Sequence, residues 1–198
     1  MDDKTARDHH VPAPRTARTT IHRLPERAVP ERLEEFLRAG LVAHIAYVEG
    51  GEPRVIPFLY LYEFGHLYLH GSPAGGTLRA IRDGRPLAVS VTMLDGLVAS
   101  KSETDHTANY RSVVAFGRAH RVVEPGRKRR VMRAMLERYF VGRQAPDDYA
   151  PVSDEDLARM ELIAVEIDEA QAKLREGGPR GPNDSNPEAP GTAFIREL

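Results

Sequence analysis

What most constrains this chain is a succession of short apolar, β-branched runs punctuated by glycine turns. Leu41 to Val48 is followed by Glu49-Gly50-Gly51-Glu52, then by Val55 to Tyr62 and Leu67 to His70. Leu87 to Met93 and Leu97 to Ser100 flank Asp95-Gly96, and Ser112 to Val123 and Leu162 to Ile167 complete the set. Runs of this length between glycines read as strands of an antiparallel meander, and Asp95-Gly96 is expected to be a hairpin turn. Pro57, which has no N–H to donate to a ladder, marks its run as an edge strand or a bulged one.

Helical spacing interrupts the strands in four places. Leu33, Phe36 and Leu37 follow Pro30 and stop at Gly40, which predicts a short amphipathic helix. Gly71 to Arg82 passes from a glycine-rich start into Leu78 and Ile81, so a strand feeds a helix N-terminus with exposed backbone N–H groups. Val131, Met132, Met135, Leu136, Tyr139 and Phe140 mark a third helix, of about four turns, with Arg127 to Arg130 in its first turn. Ser153 is placed to cap a fourth from Asp154 to Met160, with Asp156 in the third position. About six strands with peripheral helices make a mainly β, α+β chain and favour a closed or partly open barrel over an alternating parallel sheet.

At 198 residues the chain has room for one ordinary domain with tails. Residues 1–27 mix charge and proline without apolar periodicity and are expected to form a flexible arm. Residues 28–176 hold the barrel, and 177–198 form a loop-rich tail in which Ala193 to Leu198 alone looks able to dock back. The 28 basic residues balance the 29 acidic ones, so no global field draws the protein to nucleic acid or an anionic membrane. No stretch has the apolar length of a signal peptide core or a membrane span, and a cytoplasmic protein is expected. With Cys 0, disulfides, thiolate metal sites and a cysteine nucleophile are excluded.

Three stretches could carry chemistry. His106-Thr107-Ala108-Asn109-Tyr110-Arg111-Ser112 clusters an amide, a phenol, a guanidinium and hydroxyls where a loop enters a strand. On residue types it reads equally as a ligand site or as a turn whose polar groups satisfy one another while Arg111 pairs with a carboxylate. His70-Gly71-Ser72 with Gly75, Gly76, Thr77 and Arg79 could cradle a phosphate, or be plain turn chemistry. Val55, Ile56 and Pro57, with Arg54 before them, could offer backbone groups to a flat cofactor, or form an ordinary edge strand. The scattered histidines show no metal-ligand spacing, so no metal site is expected. The basic run Arg127 to Arg130 reads as a solvated helix face.

Taken together, Pro53-Arg54-Val55-Ile56-Pro57, Leu67-Tyr68-Leu69-His70-Gly71-Ser72, Asp95-Gly96-Leu97-Val98, Asn109-Tyr110-Arg111-Ser112-Val113-Val114 and Ala172-Lys173-Leu174-Arg175 resemble the pyridoxamine 5′-phosphate oxidase-like superfamily. The likeness is to the flavin-nucleotide-binding branch that includes nitroimidazole-resistance proteins, and it spans roughly residues 19 to 180. It implies a six-stranded antiparallel split β-barrel that binds FMN, usually as a homodimer with each flavin in a groove between subunits. Val55, Ile56 and Pro57 would lie along the flavin ring. His70, Gly71, Ser72, Thr77 and Arg79 would face the phosphate, and Asn109, Tyr110, Arg111 and Ser112 would close the site. His106 is carried over as a substrate-side proton donor in a small-molecule oxidoreductase. The chain departs from the family where relatives place a Ser-Arg pair and it has Gly75-Gly76, so a guanidinium contact to phosphate is missing there. Thr107 replaces the usual serine, and a tryptophan common near the family's C-terminus is absent. Haem binding, haem degradation, a deazaflavin in place of FMN, and a non-catalytic flavin sensor are the alternatives.

Overall fold

In the computed structural model, residues 16–72 and 75–198 are described. Eight strands, two more than expected, form one antiparallel sheet: β1 Val42–Glu49, β2 Glu52–Leu59, β3 Leu61–Glu63, β4 His66–Gly71, β5 Asp83–Ala99, β6 Thr107–Arg121, β7 Glu161–Arg175 and β8 Phe194–Glu197. Their spatial order is β2-β1-β5-β6-β7-β4-β3, with β8 paired to β5 off this path. Pro57 therefore lies on a terminal strand, where its missing N–H costs no ladder bond. The extra strands are β3, cut from the expected Val55 to Tyr62 run at Tyr60, and β8, the docked tail.

The expected hairpin at Asp95-Gly96 is not a turn. β5 runs through it for 17 residues, and Asp95 is instead the extra residue of a bulge between Leu94↔Tyr110 and Gly96↔Asn109. Two contacts explain why. The Asp95 carboxylate takes both Nε and Nη2 of Arg111 on β6, and β8 lies so close that a Cβ on Gly96 would sit 3.0 Å from the Arg196 carbonyl oxygen. One flank of β5 is thus divided, with β1 on Ala88–Val91 and β8 on Gly96–Ala99.

Alternation along β5, β6 and β7 sends Val89, Val91, Val113, Ala115, Val165 and Ala172 into one apolar interior. Helix α1, Leu33–Ala39, closes one mouth with Phe36 and Leu37, both fully buried, and α2, Gly76–Ile81, adds Leu78 and Ile81. On the opposite face α3, Pro125–Tyr139, packs Val131 and Met135 over Tyr68 and Leu162. The basic start of α3 is only in part the solvated face expected from sequence, with Arg130 exposed, Arg127 and Arg129 half-buried and Lys128 buried. Arg127 donates to the Tyr68 hydroxyl at 2.6 Å, Arg129 pairs with Asp154 at 2.6 Å, and Arg130 pairs with Glu63. Lys128 is buried and caps the carbonyls of Leu157 and Met160 at the end of α4, Asp154–Arg159. The capping box at Ser153 and Asp156 forms as the spacing predicts.

Tyr139 holds the β2–β3 break. Its hydroxyl accepts from Tyr60 N–H at 3.0 Å and lies within reach of the Tyr60 and Leu41 carbonyls. Residues 1–15 of the expected flexible arm lie outside the described residues; from residue 16 the chain is packed on β6 and β7. Thr16 and Arg18 bond to Glu169, and Arg18 stacks 4.6 Å over Phe116.

Strand coiling depends on a second bulge, at Asp168, opposite Phe116 and Gly117. A Cβ on Gly117 would meet the Glu166 carbonyl oxygen at 2.0 Å, a clash with backbone that no rotamer relieves. Gly117→Ala is expected to cost on the order of 3 kcal/mol, read as a lowered denaturant midpoint at unchanged m; a midpoint equal to wild type would contradict this packing.

Candidate functional site

The three sequence clusters occupy different parts of the sheet. On β2 the register with β1 pairs Ile45 with Ile56 and Tyr47 with Arg54, so Ile56 and Arg54 turn to the barrel side. Val55 and Pro57 turn outward, and Val55 is 58% exposed. Together with Ala46, Val48, Ala88 and Phe116, Val55 floors a groove of about 500 Å³, rimmed by Arg18, Arg54 and Arg85. Its floor is apolar and its charges are all positive.

The second cluster lies at the end of β4. Gly71 pairs with Glu161, the first residue of β7, and the Ser72 carbonyl accepts from Gly75 N–H at 2.8 Å to turn the chain into α2. A Cβ on Gly71 would sit 3.0 Å from Leu78, so glycine lets the helix pack against the strand end. Thr77 Oγ1 lies 3.5 Å from the Tyr47 hydroxyl, which ties the start of α2 to β1 and brings it next to Arg54 by register. Arg79 is exposed on α2. His70 is largely enclosed, and its Nδ1 is buried with no hydrogen-bond partner among the described residues. Burial pushes the His70 pKa below its ordinary value, so the ring is neutral near pH 7.

The third cluster sits at the far end of the same ladder. Tyr110 pairs with Arg175, the last residue of β7. Gly71 and Tyr110 are therefore separated by the whole of β7, roughly 45 Å of strand. Asn109 Oδ1 accepts from Arg175 Nη1, and Lys173 Nζ sits 6.0 Å over the Tyr110 ring. Arg111 is engaged by Asp95, with Nη2 at 2.6 Å from Oδ1, and that pairing raises its pKa. Ser112 stands between Thr92 and Lys173 in the register. His106 is exposed, and its Nδ1 lies 3.1 Å from the Ser102 carbonyl. A carbonyl only accepts, so in this contact Nδ1 carries the hydrogen.

His106 also lines a second concavity of about 430 Å³, with Arg23, Arg27, Lys173, Arg175 and Arg180 around it. Neither Arg54 nor these cations stands out in sequence as a site residue. Arg54 is visible only through its place in the Pro53 to Pro57 block, and Arg175 through Ala172 to Arg175. Lys173 shares that block, and Arg23, Arg27 and Arg180 lie outside every block singled out in the sequence. Among the described residues, no cluster of three or more His, Asp or Glu is arranged to hold a metal ion.

Residues 29–174 match the family model for pyridoxamine 5′-phosphate oxidase. Among solved structures, the FAD and haem binding protein from Mycobacterium smegmatis is similar at 33% identity, over 85% of this chain and 81% of that one, with TM-score 0.75. A flavocytochrome from Azotobacter vinelandii shares 27% identity over 95% of this chain and 86% of that one, with TM-score 0.81. A provisionally named 5-nitroimidazole antibiotic resistance protein from Bacteroides thetaiotaomicron shares the fold, at 18% identity, 74% and 86% coverage and TM-score 0.60. No curated protein matches the chain. With the matched segment running from before α1 to the penultimate residue of β7, and a sheet of the same architecture, the chain belongs to the pyridoxamine 5′-phosphate oxidase-like split-barrel family.

Proposed function

We propose that this chain binds a flavin, FMN or FAD, in a groove shared by two subunits and oxidises or reduces a small molecule there. The observation that carries the reading is the separation of the two polar clusters. Ser72 to Arg79 and Asn109 to Ser112 flank opposite ends of β7, so one subunit cannot grip one ligand with both. In this reading a two-fold partner on the outer sheet face would supply the second cluster to complement the first. Exposed Val42, Val55, Leu59, Leu94 and Val114 give that face the apolar surface a partner would cover.

The residues present fit the group. The apolar floor at Val55 suits a flat ring, and Arg18, Arg54 and Arg85 on its rim offer positive charge to an anionic tail. Arg54 lies beside Tyr47, whose hydroxyl meets Thr77, and so supplies the guanidinium that Gly75-Gly76 does not. Further support comes from the Mycobacterium smegmatis relative, which binds FAD and haem. When bound, the flavin supplies hydride or electron transfer. The chain's own part is to hold the ring against an apolar wall, exclude water, and exchange a proton through His106 Nε2.

A second reading, favoured by His70, is that haem is held as well, as in the flavocytochrome relative. A neutral imidazole with a buried, unpartnered nitrogen is a ligand-competent group, and an orphaned buried nitrogen otherwise calls for an explanation. Adding haemin should give a sharp Soret band that His70→Ala loses and His106→Ala keeps.

Titration with FMN and with FAD should quench flavin fluorescence and shift the visible spectrum; no binding of either at tens of micromolar removes the flavin reading. Arg54→Ala should weaken flavin binding roughly ten- to a hundredfold, the loss of one charge-assisted hydrogen bond, with an unchanged melting temperature. The depressed His70 pKa has a sign for stability. The unfolded chain binds the proton more readily, so stability present above pH about 6.5 falls as the pH drops below it. Melting temperatures between pH 7.5 and 5 should fall less steeply for His70→Gln than for wild type, and parallel slopes would contradict the burial.

A further inference from the structure

The overall charge of the chain is −1, yet one concavity gathers five cations. Arg23 and Arg27 reach it from the segment before α1, Lys173 and Arg175 from the end of β7, and Arg180 from the loop after it. Asp105 is the one carboxylate in the lining. Arg175 is 6% exposed, so its charge is largely removed from water. Among the described residues its guanidinium is held by neutral acceptors: Asn109 Oδ1, the Gly177 carbonyl at 2.8 Å and the Gly178 carbonyl at 3.1 Å. Burial first, and then the charges of Arg27 and Arg180, push the Arg175 pKa down. Among the described residues the side chains of Arg23, Arg27 and Arg180 make no hydrogen bond or ion pair.

A buried cation is ordinarily paired, and like charges brought together destabilise one another. Elsewhere buried Glu161 faces Arg82 and Arg121, and Arg111 faces Asp95, while the buried Lys128 ammonium is capped by the two carbonyls at the end of α4. Here, among the described residues of the lining, one carboxylate, Asp105, faces five cations, and guanidinium groups around an open volume of about 430 Å³ are donors arranged to fork onto oxyanions. A single phosphate would leave several cations unpaired.

We infer that this pocket binds the diphosphate, or two neighbouring phosphoryl groups, of a small ligand that lies beside His106. That chemistry has two sources: the diphosphate of FAD itself, reaching in from the flavin groove, or a separate phosphorylated substrate or nucleotide reductant. The pocket does not require the flavin reading, since its cations converge within one subunit.

The test is calorimetric titration of the full chain with inorganic pyrophosphate and with ADP, in low and in raised salt, against Arg27→Gln/Arg180→Gln. Those two side chains make no hydrogen bond or ion pair among the described residues, and their removal relieves like-charge repulsion on Arg175, so the variant should melt at or above wild type. Pyrophosphate and ADP should bind wild type, more weakly as salt rises, and the variant should lose at least tenfold. If the variant also weakens FAD while FMN is unaffected, the diphosphate is the flavin's own. If FAD and FMN bind the variant as they bind wild type, the phosphoryl groups belong to a second ligand. Absence of pyrophosphate and ADP binding to wild type, or equal binding by the variant, overturns the inference, and does so even where FMN binds normally.

Discussion

The structure depends on three long antiparallel strands, β5, β6 and β7, coiling around one apolar interior. Flat strands of 15 to 17 residues could not close on themselves, and here extra residues bend the ladder, Asp95 and Asp168 among them. At the second of these, Gly117 approaches the Glu166 carbonyl more closely than any side chain permits. At the first, the extra residue is given a partner, Arg111, so the distortion of the ladder is also where a charged pair is anchored. Curvature and polar chemistry thus share the same positions.

Closing the barrel this way places chemistry at its two ends. The start of β7 carries buried Glu161, the His70-Gly71-Ser72 turn and α2; its end carries Arg175, Asn109 and Tyr110. The two ends are electrostatically unlike. At the first, Glu161 is matched by Arg82 and Arg121, whereas at the second a buried guanidinium is surrounded by more cations. A matched cluster serves the fold, while an unmatched one holds free energy that an anion can release. The apolar outer face between them, from Val42 to Val114, leaves surface that water does not favour.

Much of the architecture is legible residue by residue. The apolar runs and glycine turns announce the strands, Pro57 its edge, Ser153 and Asp156 their capping box, and Ala193 to Leu198 a segment able to dock. Legibility fails where the deciding atoms lie elsewhere in the chain. Asp95-Gly96 has the local signature of a hairpin, but Arg111 and the β8 backbone make it a bulge within a continuous strand. Arg127 to Arg130 has the composition of a solvated face, but Tyr68, Leu157, Asp154 and Glu63 engage its four side chains in turn. In the candidate site, the residue types of the Asn109 to Ser112 block are legible, and so is the alternative that Arg111 pairs with a carboxylate; that the partner is Asp95, and that Asn109 holds Arg175, are not.

By itself, then, the sequence determined what depends on neighbours in the chain: strand and helix periods, caps, turns, the absence of thiol chemistry, and the family likeness its ordered motifs carry. Only the tertiary structure decided which charges are balanced. Arg82, Arg111 and Arg175 look alike in the chain, yet two meet carboxylates and the third meets arginines. The reason is that Coulomb interactions and desolvation act through space over a few ångströms, and those distances exist only once β5, β6 and β7 have coiled and the segments at 23–27 and 177–181 have come to rest at the same end of the barrel.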